Sequence, residues 1–212
     1  MCDFMQNLQT IFCKIDWTAV AGIWMAILAT IALNTWRRQI KAQKYVDFLD
    51  ELTDTVHNFI LSMSGPVTAL KFAKISIDSY SHVYKDSDDQ KNIGVVEFIK
   101  KDGRDTRESI QKQLKPVRPI LSKMKSLVAK GQILGIKNYL NCQNACDMLE
   151  WFFNQIEAFS SIIGSTNLYW ENPEVQKTLD KILTVDSEQI FKNMAEQNSK
   201  YLLFAKQAYN AI

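Results

Sequence analysis

The sequence contains few of the residues that turn or break a polypeptide chain. Only seven glycines and four prolines occur among its 212 residues. A β-rich fold connects many short strands and needs turn residues between them. The scarcity of these residues therefore argues against an all-β fold and predicts long helices.

The residues and motifs that usually carry catalysis or bind cofactors are also scarce. There are two histidines, His57 and His82, and neither stands at metal-ligand spacing from a cysteine. The glycine-rich phosphate loop, the dinucleotide fingerprint, the serine nucleophile elbow and the zinc-protease histidine pair are all absent from the sequence. The sequence thus predicts a protein that is not an enzyme and holds no cofactor or metal.

The four cysteines do not resemble a disulfide framework, because they fall in two distant pairs. Cys142 and Cys146 lie one helical turn apart on an apolar face, where we expect them to act as small buried hydrophobes. A soft-metal or redox site is the alternative for this pair. Cys2 and Cys13 precede the apolar segment described below, and a disulfide, for example between chains, is open to them.

Acidic residues are missing from a long stretch in the middle of the chain. Between Ser109 and Ala145 there is no Asp or Glu, whereas seven basic residues occur there. Between Asn138 and Gln176 the charge is reversed, with five acidic residues and no Lys or Arg. The segment 109–137 is therefore a candidate region for binding an anion or a partner. Its candidate residues are Lys112, Lys115, Arg118, Lys123, Lys125 and Lys130.

Three interpretations of this charge segregation stay open. The first pairs the basic and acidic helices with each other, within one domain or between subunits. The second is an anionic partner for the basic segment, such as inner-leaflet lipid headgroups. The third is a nucleic acid or nucleotide, which is possible but not favoured, because six of the seven cations are lysines and no aromatic residue lies in 109–137.

One long apolar run stands out, from Trp17 to Trp36. It carries no charge over 20 residues and, as a helix, would be about 30 Å long, the thickness of a bilayer core. The two tryptophans bracket it at the positions where indole rings prefer the headgroup level. These features predict a transmembrane helix at 17–36, with a buried core helix as the alternative.

The basic residues around this run predict its orientation. Only Lys14 precedes it, whereas Arg37, Arg38, Lys41 and Lys44 follow it. The positive-inside rule therefore places the N-terminal side outside and residues 37–212 in the cytoplasm, at the inner (plasma) membrane. The preceding residues, 1–16, show one apolar helical face and predict a short extracytoplasmic amphipathic leader.

One face of the predicted transmembrane helix is small, and small residues at a spacing of four let two helices approach closely. This pattern predicts self-association through the membrane helix, with lipid-facing small residues as the alternative. The residues of this face are Thr18, Gly22, Ala26, Thr30 and Asn34.

The sequence after the apolar run, residues 37–212, predicts one all-α domain. A heptad seam predicts the domain's own core, with packing against another subunit as the alternative, and comprises Tyr45, Leu49, Leu52, Val56, Phe59 and Met63. We expect a second helix to start at Pro66, another to end at Asp102-Gly103, a new one to open at Asp105, and a further one to end at Gly131. An amphipathic helix at 138–163 is expected at the centre of the core, and Asn172 and Asp186 are expected to cap the last two helices.

The sequence as a whole predicts an all-α fold: a single N-terminal transmembrane helix that continues into a cytoplasmic multi-helix bundle. This layout resembles that of small membrane-anchored helical proteins of bacterial defence and stress systems. The small-residue face, the segregated charge and the lack of catalytic groups predict a scaffold, receptor or membrane-perturbing effector that works as a homo-oligomer and binds a cytoplasmic protein. The alternative is a membrane-tethered module whose segment 109–137 binds a nucleic acid, a nucleotide or an anionic lipid.

Overall fold

The computed structural model describes residues 17–83 and 92–211, and these residues form six α-helices and no strand. The all-α prediction is therefore confirmed for the described part of the chain. The leader 1–16, with Cys2 and Cys13, lies outside it. The helices are α1 (Trp17–Val83), α2 (Ile93–Leu114), α3 (Val117–Leu134), α4 (Tyr139–Ile163), α5 (Pro173–Leu183) and α6 (Ser187–Tyr209).

The chain divides into two compact units, with the boundary between Asp47 and Phe48. The first unit contributes the described residues 17–47, all of them in α1. The second unit contains the rest of α1 and the other helices. The predicted heptad seam is buried in this unit from Leu49 to Met63, so the prediction that it serves the domain's own core is confirmed.

Helix α4 lies at the centre of the second unit and contacts α2, α3, α5 and α6. Its apolar face is fully buried, with Phe152, Ile156 and Phe159 inaccessible to solvent. Burying one such side chain stabilises the fold by roughly 1.5–3 kcal/mol. The prediction that a helix over 138–163 forms the centre of the core is confirmed, because α4 runs from Tyr139 to Ile163.

The second unit's part of α1 is tied to three other helices by polar contacts. The hydroxyls of Thr53 and of Tyr201 in α6 are 2.9 Å apart. Lys74 Nζ donates to the carbonyl oxygens of Leu183 and Val185 at 2.8 and 2.9 Å, where α5 ends. The hydroxyl of Tyr80, also in α1, hydrogen-bonds to a carboxylate of α2. These contacts fix α1 along its length within this unit.

The expected break at Pro66 does not occur, because α1 continues through this residue. A proline inside a helix removes one backbone hydrogen bond and costs about 3 kcal/mol. Here Pro66 is buried, and Met63, Val67 and Leu70 around it are inaccessible to solvent. Burial of these side chains on the same face offsets the loss, so tertiary packing overrides the local signal.

The expected end at Asp102-Gly103 and the expected start at Asp105 are also wrong, because α2 runs without interruption through both. Position 103 requires a glycine because α2 and α4 approach each other closely there. A Cβ at this position would lie 2.2 Å from the carbonyl oxygen of Ile163, at the end of α4. Gly103 therefore serves helix packing rather than helix termination.

The expected end of a helix at Gly131 is wrong for a similar reason. A Cβ there would lie 2.1 Å from the hydroxyl oxygen of Tyr139, and α3 continues to Leu134. The residue that does end α3 is Gly135, which has a φ of 65° in the left-handed region that glycine adopts without strain.

The two predicted N-caps are confirmed. The side chain of Asn172 accepts a hydrogen bond from the backbone N–H of Glu174, and Pro173 occupies the first turn of α5. The side chain of Asp186 accepts from the backbone N–H of Glu188 at the start of α6. Each cap satisfies a backbone donor that the helix itself leaves free, and is worth about 1 kcal/mol.

The close approach of α2 to α4 at Gly103 can be tested by substitution. We expect Gly103→Ala to lower the free energy of unfolding by about 1–3 kcal/mol, because its Cβ meets backbone that can move only with a helix. Ser109→Ala on the exposed side of α2 should change it by less than about 0.5 kcal/mol. Thermal unfolding of the full chain in a mild detergent, followed by circular dichroism, measures both. Equal midpoints for the two variants would contradict the close approach.

Candidate functional site

Within the described residues, α1 is long and apolar enough to span a membrane, and the apolar window that meets this criterion is 0% buried. Its large apolar side chains face outward on all sides of the helix, since Trp24, Met25 and Leu28 are all more than half exposed. Water solvates such a surface poorly. Such a surface is suited to an apolar environment.

The predicted small face lies on this exposed helix. A Cβ added to Gly22 would meet nothing within 4 Å among residues 17–83 and 92–211, so these residues leave the space beside it empty. The hydroxyl of Thr30 donates to the carbonyl oxygen of Ala26 at 2.8 Å and is satisfied within the helix. The side chains along this row thus present a narrow and nearly apolar ridge that ends in a carboxamide.

That carboxamide belongs to Asn34, the last member of the row. Its side chain is exposed and has no hydrogen-bond partner among residues 17–83 and 92–211. An amide near the end of an apolar segment gains from a partner, such as the same residue of another chain or a lipid headgroup. Asn34 is therefore the polar group with which this face can bind a second helix.

The basic residues that follow the apolar run remain accessible. Arg37, Arg38, Lys41 and Lys44 are exposed, and Lys41 Nζ lies 5.5 Å from the centroid of the Tyr45 ring. None of the four forms an ion pair within the described part of the chain. Four free cations beside an apolar segment are suited to contact anionic headgroups.

The structure places three of the six candidate cations of 109–137 against acidic side chains. Arg118 Nη2 lies 2.6 Å from Glu157 Oε1, and Lys125 Nζ lies 2.7 Å from Glu150 Oε1, so α3 and α4 pair as oppositely charged faces. In addition, Lys123 Nζ lies 3.1 Å from Glu51 Oε1 of α1. These pairs are partly exposed, and each is worth at most about 1 kcal/mol.

The Arg118 pair extends into a hydrogen-bond network that joins three helices. Gln111 of α2 accepts from Arg118 through Oε1, and its Nε2 donates to the Ser160 hydroxyl of α4 at 3.1 Å. Ser160 is inaccessible to solvent, so this bond satisfies a buried hydroxyl. The sequence analysis did not single out Gln111 or Ser160, because nothing local marks a partner 49 residues away.

The other three candidate cations differ from these, because their side chains are unpaired among the described residues. Lys112, Lys115 and Lys130 are exposed, and none of their side chains has an ion-pair or hydrogen-bond partner within the ranges 17–83 and 92–211. The structure therefore divides the predicted basic segment into a paired and an unpaired half. Binding of an anion or partner by this segment stays a prediction.

Cys142 and Cys146 are buried free thiols against the ring of Tyr139. Interaction with the Cys142 thiol, followed by burial, raises the pKa of the Cys146 thiol well above its usual range. Burial likewise raises the pKa of Tyr139, whose hydroxyl donates to the carbonyl oxygen of Val128 at 2.8 Å. A thiol held protonated in this way, as that of Cys146 is, is a poor nucleophile and a poor metal ligand.

His57 and His82 are exposed, and no group of three or more His, Cys, Asp or Glu side chains suited to a metal ion occurs in the described residues. The described structure thus gathers none of these side chains into a metal site.

A groove that the sequence analysis missed lies between α2 and the segment after α4. It has a volume of about 690 Å³, and its lining includes Arg104, Arg107 and residues 164–168. The two arginines were overlooked because the expected helix boundary at Asp105 would have separated them. Their spacing of three residues on one continuous helix is the signal that could have found them.

No protein family, curated protein or solved structure matches this chain. The geometry of the described residues is therefore the basis for the proposals that follow.

The burial of Cys142 and Cys146 in the core can be tested by chemical labelling. In a chain carrying Cys2→Ser and Cys13→Ser, we expect Cys142 and Cys146 to resist a maleimide at pH 9 until the protein is denatured. The reason is that the raised pKa of Cys146 keeps its thiol protonated as the pH rises through the usual thiol range of about 8.5, while burial excludes the reagent. Mass spectrometry counts the adducts.

The control for this test is a third thiol at an exposed position of α3, introduced as Ser126→Cys. It should react within minutes in the folded protein. Equally fast modification of Cys142 and Cys146 would contradict the buried position of α4.

Proposed function

We propose that this protein is a non-enzymatic, single-pass membrane protein that acts through oligomerisation and protein interaction, as a scaffold, receptor or membrane-perturbing effector of a bacterial defence or stress system. The observation that carries the proposal is the apolar window of α1, of which nothing is buried. Every large apolar side chain from Ile23 to Leu33 is at least 43% exposed. A bilayer removes all of this surface from water, whereas one partner helix would cover a single face.

The free cations after the apolar run support the orientation. Arg37, Arg38, Lys41 and Lys44 follow it, and only Lys14 precedes it. Under the positive-inside rule the helical domain lies in the cytoplasm, with the N-terminal side outside the inner (plasma) membrane. The same four cations would contact the anionic headgroups of the cytoplasmic leaflet.

The ridge from Thr18 to Asn34 supports the homo-oligomer. Because the described residues fill none of the space beside Gly22, a second copy of the helix can approach it closely. Asn34 has no partner in the described part of its own chain and would gain one in the oligomer. Packing and a polar contact would thus act on the same face.

A surface on the helical domain supports the cytoplasmic protein partner. Leu61, Phe72 and Ile75 lie on one face of α1 and are each more than half exposed. Phe72 also forms one wall of a groove of about 610 Å³ between α1 and α2. An apolar stripe beside a groove is a surface that proteins commonly use for binding other proteins.

The orientation is tested by labelling from outside. In intact cells pretreated with an impermeant reductant, we expect an impermeant maleimide to label Cys2 and Cys13, while the buried Cys142 and Cys146 stay silent. A chain carrying Cys2→Ser, Cys13→Ser and Ser126→Cys should be labelled only after the cells are permeabilised. Labelling of this chain in intact cells, or its release by alkaline carbonate, would count against the proposed topology.

The oligomer is tested on the small face. We expect native mass spectrometry of the full chain in mild detergent to show a defined oligomer, and Gly22→Ile with Ala26→Ile to weaken it at least about tenfold, because the added side chains hold the helices apart. A Cβ added at Gly22 meets no described residue within 4 Å, so the substitution there does not disturb packing among the described residues. Asn34→Leu should weaken the oligomer as well.

The control adds one isoleucine outside the small row, as Ala21→Ile, and is compared with Gly22→Ile alone. This variant should leave the oligomer intact, because Ala21 lies outside the small row. A monomeric wild type, or an oligomer that withstands both substitutions of the small face, would remove the support for self-association through the membrane helix.

A further inference from the structure

The cations of α2 and α3 differ in how their charge is used. Arg118, Lys123 and Lys125 each have a carboxylate within 3.1 Å. Arg104 and Arg107 have no ion pair or side-chain hydrogen bond in the part of the chain that the structure describes. Both line the groove between α2 and residues 164–168, which we call the arginine groove. Two guanidinium groups are therefore free to serve a ligand there.

The position of Arg107 is fixed by the backbone beneath it. A Cβ at Gly164 would lie 2.2 Å from Cδ and 2.6 Å from Cβ of Arg107. The aliphatic part of the Arg107 side chain therefore packs directly against the backbone of Gly164. Gly103 allows α2 this close to the end of α4, as described above. A stem held by packing loses less conformational freedom when its head group binds an anion.

Arg104 shares the face of α2 with Arg107, because side chains three residues apart on a helix lie about 5–6 Å from each other. That spacing of the Cβ atoms allows both guanidinium groups to turn towards one phosphate group, and planar guanidinium forks match phosphate oxygens in geometry.

The opposite wall of the groove adds hydrogen-bond donors. Asn167 accepts from the Thr166 hydroxyl through Oδ1, which leaves its Nδ2 free to donate. The backbone N–H groups of Thr166, Asn167 and Leu168 form no hydrogen bond within the described residues. These donors add to the two guanidinium groups across the groove, and an anion can accept hydrogen bonds from both walls.

The groove carries one opposing charge, Glu108, which also lines it and forms no ion pair within residues 17–83 and 92–211. Arg118 does not contribute a third free cation, because Glu157 neutralises it. The two arginines and Glu108 together leave one net positive charge. The carboxylate therefore lowers the affinity for an anion without abolishing it.

From this arrangement we infer that the arginine groove binds a phosphate group, with Arg104 and Arg107 as its charged donors. The volume of about 690 Å³ holds a ligand larger than inorganic phosphate, in the range of a nucleotide or a lipid headgroup. The shared chemistry is a phosphate that carries close to two negative charges. The inference does not depend on the oligomer or on the orientation proposed above.

The experiment uses the full chain in nanodiscs of phosphatidylcholine, titrated with pyrophosphate in a calorimeter. We expect saturable binding that the double substitution Arg104→Gln and Arg107→Gln weakens at least about tenfold, because two charge-assisted contacts are lost. Glu108→Gln should tighten binding, since it removes the one repulsive charge. This second variant keeps the test informative even if the double variant is unstable.

The matched control is Lys112→Gln with Lys115→Gln, which removes two free cations from the same region outside the groove. It should change pyrophosphate binding by less than about threefold, the effect of a distant screened charge. A larger loss in this control than in the arginine variant would overturn the proposal and move the site to the basic segment.

A second arm separates the two sources of phosphate. Native mass spectrometry of the chain from nanodiscs that contain phosphatidate counts retained lipid adducts. Adducts that depend on Arg104 and Arg107, without pyrophosphate binding, would identify a lipid headgroup, whereas arginine-dependent pyrophosphate binding alone identifies a soluble ligand. Binding in neither arm, or binding indifferent to the arginines, would overturn the inference.

Discussion

The buried face of α4 holds the second compact unit together. Phe152, Ile156 and Phe159 are inaccessible to solvent, and the helix contacts α2, α3, α5 and α6, while its first residue, Tyr139, packs on the ring of Phe48 in α1. Because these helices share one central partner, a shift of α4 would disturb all of them. Close packing of this kind tolerates little added volume, and this explains why glycines stand where α2 and α3 approach α4 most closely.

The same packing decides what happens to the charges. Helices α3 and α4 lie antiparallel, and the basic face of one meets the acidic face of the other. Arg118 and Lys125 form ion pairs across this contact. Charges that pair in this way contribute little stability when they are half exposed, but they limit the ways in which the helices can be arranged. The cations left without acidic partners, Arg104 and Arg107 among them, are then the ones available to a ligand.

The first unit is governed by a different constraint. Its helix exposes apolar side chains on every side and satisfies its backbone hydrogen bonds internally, and both properties suit a lipid environment. In lipid, burying apolar side chains between two helices gains no hydrophobic free energy, because the lipid tails are equally apolar. Close packing of small residues and a polar group such as Asn34 would therefore have to drive association. The proposed assembly therefore rests on contacts that are distinct from those that fold the second unit.

The sequence by itself determined the helical class, the apolar segment, the heptad seam from Leu49 to Met63 and the caps at Asn172 and Asp186. These features follow from periodicity and from bonds between near neighbours in the chain. Only the tertiary structure decided that helices continue through Pro66, Gly103 and Gly131, and which cations find a carboxylate. The physical reason is that the local cost of a proline or glycine is a few kcal/mol or less, and burial against distant residues outweighs it.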